Sequence, residues 1–262
     1  MSFSRLQKLI DAKNAPICAG LDPRASMLNG GESLFDFNKR VIDAVYDIVP
    51  SVKPQSAFFE AFGLGGLESL SKTIKYARQK GLYVILDAKR GDIGSTAEAY
   101  AEAYFSSGSD FECDALTVNA YLGSDGIKPF LELAKINDKA IFALVKTSNP
   151  SSGEVQDLLT DSGESVYVSV AKTLDALDDS EHLGFVVGAT YPEQLKELRL
   201  KFPTTFFLVP GYGAQGGTAK DIAAAFNADG GGVVVNNSRG IIAAADPRKA
   251  AQDMIEAFRG IK

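Results

Sequence analysis

The stretch LDAKRGDIGSTAEAYA, residues 86–101, places two acids and two cations within six positions: Asp87, Lys89, Arg90 and Asp92. Charge this dense at the end of an apolar run is costly to desolvate unless the groups pair or serve chemistry. Side chains alternate along a strand, so Asp87 and Lys89 point to one face at the tip of LYVIL. Lys53 ends an earlier apolar run and becomes their neighbour if the two runs are adjacent strands, while Asp92 falls on the loop beyond. Two readings fit the spacing: an ion-pair network that closes the top of a barrel, or a catalytic network.

A second constellation speaks to ligand binding. VPGYGAQGG, residues 209–217, and NNSRG, residues 236–240, each follow an apolar run. The glycines at 211, 213, 216 and 217 allow close backbone approach and positive φ. Gln215 offers amide donors and Arg239 a planar fork suited to phosphate. In α/β barrels a phosphate site is commonly built from the loops after strands seven and eight.

These residues need strands to carry them. Eight short apolar runs recur along the chain: APICAGLD, VPSVKPQ, LYVILDAK, DALTVNA, KAIFALVKT, LGFVVGAT, TFFLVPG and GGVVVNNSR. Segments of helical periodicity lie between them, such as Leu67, Leu70, Ile74 and Ala77 at steps of three and four. Ser95 and Glu98 have the spacing of a capping box ahead of AEAYAEAYF. Strands alternating with helices imply right-handed βαβ units and a parallel sheet. Eight units predict a (β/α)8 TIM barrel, read as one domain over residues 1–262. A doubly wound open sheet is the runner-up, and no glycine fingerprint after the first run supports it.

Many runs begin apolar and end polar: Asp22, Lys53, Asp87 with Lys89, Asn119, Thr147 with Ser148, Thr190 and Arg239. In a parallel barrel the C-terminal strand ends share one face, so these residues converge on one mouth. The longest connection, between the fifth and sixth runs, is either a loop near that mouth or a plain irregular link.

Composition sets the limits. The 262 residues are 45% hydrophobic and 23% charged, with a net charge of −6. That balance, without basic runs, argues against nucleic acid as a partner and leaves room for a small anionic ligand in a cleft. The single histidine, His182, reads as a loop residue and rules out multi-histidine metal sites. Cys18 and Cys113 lie in separate apolar runs without CxxC spacing, so they read as small buried hydrophobes in a reducing cytoplasm. No secretory signal and no apolar stretch of roughly 20 residues points to a membrane.

DAKRGDIGSTA resembles the D-x-K-x-x-D-I signature of the orotidine 5'-phosphate decarboxylase family. AGLDPR, VKPQSAFFEAFG, TVNAYLG, LVKTSNP, VGATYP, VPGYGAQGG and NNSRGII match in order, from about residue 16 to 243, and VKPQSAFFE resembles the longer bacterial subgroup. The resemblance implies decarboxylation of orotidine 5'-phosphate to UMP without a cofactor or metal. It implies that Lys89 protonates C6, that Asp87 stands against the departing carboxylate, and that Lys53 and Asp92 complete the network. Family sites are shared across a homodimer, which would bring Asp92, Ile93 and Thr96 from the partner. Asp22 and Lys53 would hold ribose hydroxyls and Ser148 the pyrimidine amide edge. Gln215 and Arg239 would grip phosphate, Pro210 and Ser238 would line the same region, and Gln55 and Asn119 would be second-tier members. Ala120 stands where the family pattern has proline, and Asn237 where serine is commoner. Two alternatives accompany this reading. A related sugar-phosphate decarboxylase or aldolase using Mg2+ needs an acid where Lys53 stands. A barrel that only binds nucleotides would have lost Asp87, Lys89 or Asp92.

Overall fold

A computed structural model describes residues 2–177, 181–213, 216–259 and 261. Each of the eight apolar runs forms a strand: β1 (Ile17–Leu21), β2 (Ser51–Pro54), β3 (Tyr83–Arg90), β4 (Ala115–Val118), β5 (Ala140–Lys146), β6 (Leu183–Val187), β7 (Phe207–Pro210) and β8 (Val233–Asn237). They pair in parallel in chain order and close into a barrel through Ile17↔Val235 and its neighbours. Alternation sorts the strand residues into two layers. Ile17, Ala19, Val52, Val84, Leu86, Leu116 and Val235 pack outward against the helices. Cys18, Tyr83, Ile85, Phe142, Leu208 and Val234 fill the lumen, which is therefore a packed core up to its mouth.

The N-terminal end of the lumen is sealed by a helix, Ser2–Lys13, that the strand pattern did not announce. Its Phe3, Leu6 and Ile10 join the inner cluster, with Phe3 stacked on Phe206 at 5.0 Å between ring centres. Ser2 Oγ lies 2.6 Å from Tyr83 Oη, and Arg5 pairs with Asp114 at 2.6 Å. With that end closed, the C-terminal ends of the strands form the open end of the barrel.

The helix Gly63–Gln79 buries Leu70, Ile74 and Ala77 as its periodicity requires, with Leu67 half-buried at the edge of the stripe. The capping box read at Ser95 and Glu98 is absent. The helix runs Gly94–Phe105 with Ile93 at its N-cap and no side-chain cap bond, so Ser95 is already inside the first turn. Gly94, at φ +52, allows the chain to turn straight from the loop into the helix. A true box forms elsewhere, where Thr218 and Asp221 cap each other's backbone amides. Cys18 and Cys113 are buried and unpaired, and burial pushes the Cys18 thiol up to about 12.

Below the barrel, Glu112 ties three segments together. Its carboxylate accepts from Arg78 at 2.7 Å, Lys139 at 2.9 Å and the Gly108 amide at 3.0 Å. Burial alone would raise its pKa, but these donors outweigh it and hold the group at about 2. A carboxyl depressed in the folded state adds stability above its unfolded pKa, about 4.3, and that contribution is lost as pH falls. Glu112→Gln should therefore remove about 1 kcal/mol at pH 7, allowing for solvent screening, and much less near pH 2. Urea titrations at the two pH values check this, and an equal loss at both would contradict it.

Candidate active site

A cavity of about 830 Å³ opens at the C-terminal ends of the strands. The inward positions nearest the mouth supply its charged and polar floor: Lys53 from β2, Asp87 from β3, Thr117 from β4 and Asn236 from β8. Leu144, Val186 and Leu208, from β5, β6 and β7, make the remaining side apolar. Four basic side chains (Arg24, Lys53, Lys89, Arg239) and two acidic ones (Asp22, Asp87) line the cavity. The chain is anionic overall, yet its cavity carries an excess of two positive charges, a local field that favours an anionic ligand.

Asp87 is the centre of the charge network. It is 7% exposed, and Lys53 beside it 4%. Lys53 Nζ is 2.7 Å from Asp87 Oδ2, and Lys89 Nζ is 2.6 Å from Asp87 Oδ1. Burial opposes charge on Asp87, but the two ammonium groups outweigh it and hold its carboxyl far below the usual range. Burial likewise opposes charge on Lys53, and Asp87 with Asp22 overcomes it and raises the lysine. Asp87 and Lys53 are therefore both ionised at neutral pH, an ion pair closed at 2.7 Å.

The backbone that aims Lys89 departs from simple alternation. The β3–β4 ladder pairs Leu86 with Leu116, shifts register, and resumes only at Arg90 and Val118. Within this bulge Lys89 adopts φ +47, left-handed backbone that L residues rarely take. Its side chain still meets Asp87, as the sequence predicts, but by way of the bulge.

The remaining sequence-predicted residues divide into two groups. Asp22, Gln55, Asn119, Ser148, Pro210, Ser238 and Arg239 line the same cavity. Asp22 Oδ1 is buried without a protein partner. Asn119 accepts from Tyr121 N through its side chain, and its own amide donates to Arg90 O at 2.7 Å, joining the tips of β4 and β3. Asp92, Ile93 and Thr96 do not line the cavity. Asp92 Oδ1 caps the Ile93 amide at 2.9 Å, and Ile93 is 52% exposed. Gln215 lies outside the described residues.

Thr190 corrects the strand-end pattern. It does not line the cavity; its hydroxyl donates to Ser148 O at 3.2 Å and so braces a residue that does. Thr117 and Asn236 are among the lining residues that escaped the sequence reading. Thr117 looked like an ordinary β-branched strand residue, although its inward parity on β4 was readable. Asn236, 7% exposed, donates to Ser238 Oγ at 3.2 Å and leaves Oδ1 without a partner. Its signal was the polar residue breaking VVV at an inward position.

The loops after β7 and β8 are built for close approach. The turn after β7 closes with Gly213 N donating to Gly217 O at 2.9 Å and Gly216 N to Gly213 O at 2.8 Å, with positive φ at 211, 213 and 216. A Cβ at Gly20 would stand 1.9 Å from Ser238 Oγ, so only glycine there lets the residue before Arg239 settle over β1. At the Asn237 position, the side chain accepts from Gly240 N at 3.1 Å and stabilises this turn.

The β5–β6 connection is a wall of the cavity. Lys146 reaches Asp157 at 2.6 Å, and Gln156 exchanges two hydrogen bonds with Thr147. These ties hold Val155 and Gln156 over the mouth, with Val166 and Tyr167 behind them. His182 is half-buried just before β6, its Nδ1 2.7 Å from Lys139 O, at the opposite end of the barrel. Among the described residues no helix is long and apolar enough to cross a membrane.

Comparison with known proteins agrees with this geometry. Residues 15–254 match the model of the family described as Orotidine 5'-phosphate decarboxylase / HUMPS. The orotidine 5'-phosphate decarboxylase of Rhodopirellula baltica is 48% identical over 268 aligned positions, covering 92% of this chain and 88% of the relative. The structure of Leishmania donovani OMP decarboxylase superposes with a TM-score of 0.87 at 37% identity, covering 99% of this chain and 98% of that one. Leishmania donovani UMP synthase superposes at 0.88 and 40% identity, and this chain spans 56% of its length.

Proposed function

The chain belongs to the orotidine 5'-phosphate decarboxylase / HUMPS family, and from that premise we propose that it converts orotidine 5'-phosphate to UMP and CO2 without a cofactor, the closing step of UMP synthesis. The observation that carries the reading is Asp87 gripped between Lys53 and Lys89 on the floor of a net positive cavity.

Decarboxylation breaks the bond between C6 and the carboxyl carbon and leaves its electron pair on C6. Lys89 is the fixed cation beside that developing charge. Its ammonium stabilises the carbanion and then gives it a proton, and the amine regains its proton from solvent. Asp87 sits against the substrate carboxylate; the repulsion between them falls as neutral CO2 forms. Lys53 keeps Asp87 ionised and, with Asp22, holds the ribose hydroxyls. Ser148 reads the pyrimidine amide edge. Arg239 and Gln215, with Pro210 and Ser238, hold the phosphate, whose binding energy fixes the ring over Lys89. Gln55 and Asn119 support the pocket wall. Two ammonium groups already flank Asp87, so a divalent cation there would meet positive charge. This arrangement favours electrostatic catalysis by the protein itself over a Mg2+-dependent sugar-phosphate reaction.

We further propose a homodimer in which Asp92, Ile93 and Thr96 complete the partner's cavity, in a cytoplasmic enzyme. Their position outside their own cavity supports this, as does the apolar surface around them. Ile93, Tyr121 and Leu122 are exposed on the loops after β3 and β4, and a Cβ at Gly126 would lie 3.2 Å from Leu122 Cβ and 4.0 Å from Ile93 Cγ2.

The direct test follows absorbance as purified protein meets orotidine 5'-phosphate, with and without EDTA. Turnover that EDTA does not change is the expected result. No turnover would sink the proposal, and loss of turnover in EDTA would sink its cofactor-free part.

A further inference from the structure

We infer that Thr117 is a positioning residue for the reaction, the group that holds Asp87 and Lys89 in register with each other; this rests on the roles proposed for those two residues. Thr117 is 1% exposed and points into the lumen from β4. Its Oγ1 accepts from the Ala88 amide at 3.0 Å and the Lys89 amide at 2.9 Å, and donates to Asp87 Oδ1 at 2.9 Å. A hydroxyl has one proton to donate and two lone pairs, so its capacity is fully used on three consecutive residues.

Those three residues are the ones the strand ladder abandons. Between Leu86 and Arg90 the pairing with β4 slips, which takes the amides of Ala88 and Lys89 out of regular strand pairing. These partly buried amides still need partners, and the Thr117 side chain supplies what the β4 backbone does not. In doing so it fixes the left-handed conformation at Lys89, φ +47, which an unanchored strand end would abandon for extended geometry. Extended geometry would re-aim the lysine side chain.

The third bond sets the rotation of the Asp87 carboxylate. Oδ2 accepts from Lys53 at 2.7 Å, while Oδ1 accepts from both Lys89 Nζ and the Thr117 hydroxyl. With the hydroxyl in place the carboxylate plane is held so that each oxygen meets one lysine. Without it the carboxylate turns about its last bond, and the half-exposed Lys89 ammonium follows.

The test compares Thr117→Val, which keeps the shape and removes the hydroxyl, with Thr117→Ser, which keeps the hydroxyl. Steady-state kinetics on orotidine 5'-phosphate should show kcat of Thr117→Val lowered about a hundredfold with KM nearly unchanged, since a misplacement near 1 Å costs about that much. Thr117→Ser should recover kcat to within about fivefold of the parent, because the three bonds re-form. A Thr117→Val enzyme with parental kcat, or one changed only in KM, overturns the inference. Thr117→Ala repeats the measurement should the valine fail to fold. Unfolding of both hydroxyl-free variants beside a folded serine variant assigns the hydroxyl to stability and also overturns it. Lys89→Ala in the same assay separates the two readings. If it turns over normally, the proposed chemistry fails; if it is inactive while Thr117→Val is normal, only the role of Thr117 fails.

Discussion

Replacing Lys89 by alanine should lower turnover of orotidine 5'-phosphate by about 10⁴-fold, the upper end of what a positioned proton donor contributes. The size follows from the two tasks resting on one ammonium group. It is the proton source for C6, and it is the cation nearest the charge that develops there, a contribution of about 10²–10³ by itself where charge is preorganised. The tasks share one atom, so the losses overlap instead of multiplying. KM should move little, because the groups proposed to hold ribose and phosphate stand on β1, β2, β7 and β8 and keep their geometry. The fold should also survive. The Lys89 side chain is half-exposed, and Asp87 keeps Lys53 at 2.7 Å and Thr117 at 2.9 Å. Lys89→Arg is the useful companion: it restores positive charge but holds its proton too firmly to give it up, so it should remain far below the parent. Stopped assays with long incubation measure such slow variants, and a loss below tenfold for Lys89→Ala would remove the lysine from the mechanism.

The strands of this barrel were legible because each is a β-branched apolar run long enough to cross the sheet once and bounded by polar residues. Their polar ends placed Asp22, Lys53, Asp87, Asn119, Ser148 and Arg239 at one mouth by topology alone. What escaped were features whose cause lies in another segment. The bulge at residues 87–89 depends on a hydroxyl from β4, so two-residue alternation reached the right contact by the wrong backbone. The helix Ser2–Lys13 carries Phe3, Leu6 and Ile10 on one face, but only a closed lumen tells that face where to go. Thr190 had the right position for a pocket residue and turned instead to the Ser148 carbonyl. Ser95 had the spacing of a cap, while Gly94 had already started the helix. Local pattern fixes which residues reach the mouth; neighbouring strands decide which of them face the ligand.

Mixing two inactive variants should restore activity if the cavity is completed by a partner. Asp92 lies outside the cavity its own chain forms, half-buried beside an exposed Ile93, and Lys89 lies inside it. In the proposed homodimer each site takes Lys89 from one subunit and Asp92 from the other. Lys89→Ala and Asp92→Ala homodimers then have two damaged sites each. After random exchange about half the dimers are mixed, and each mixed dimer holds one site with both substitutions and one with neither. Activity should therefore rise to about a quarter of the parent level, a gain of several orders of magnitude over either variant alone. The gain should follow the rate of subunit exchange and saturate at equal amounts of the two proteins. Mixing either variant with more of itself should give nothing. Native mass spectrometry on variants of different tag length confirms that mixed dimers have formed. If mixed dimers are present and activity stays at the level of the separate variants, Asp92 acts within its own chain or not at all, and the shared site is wrong.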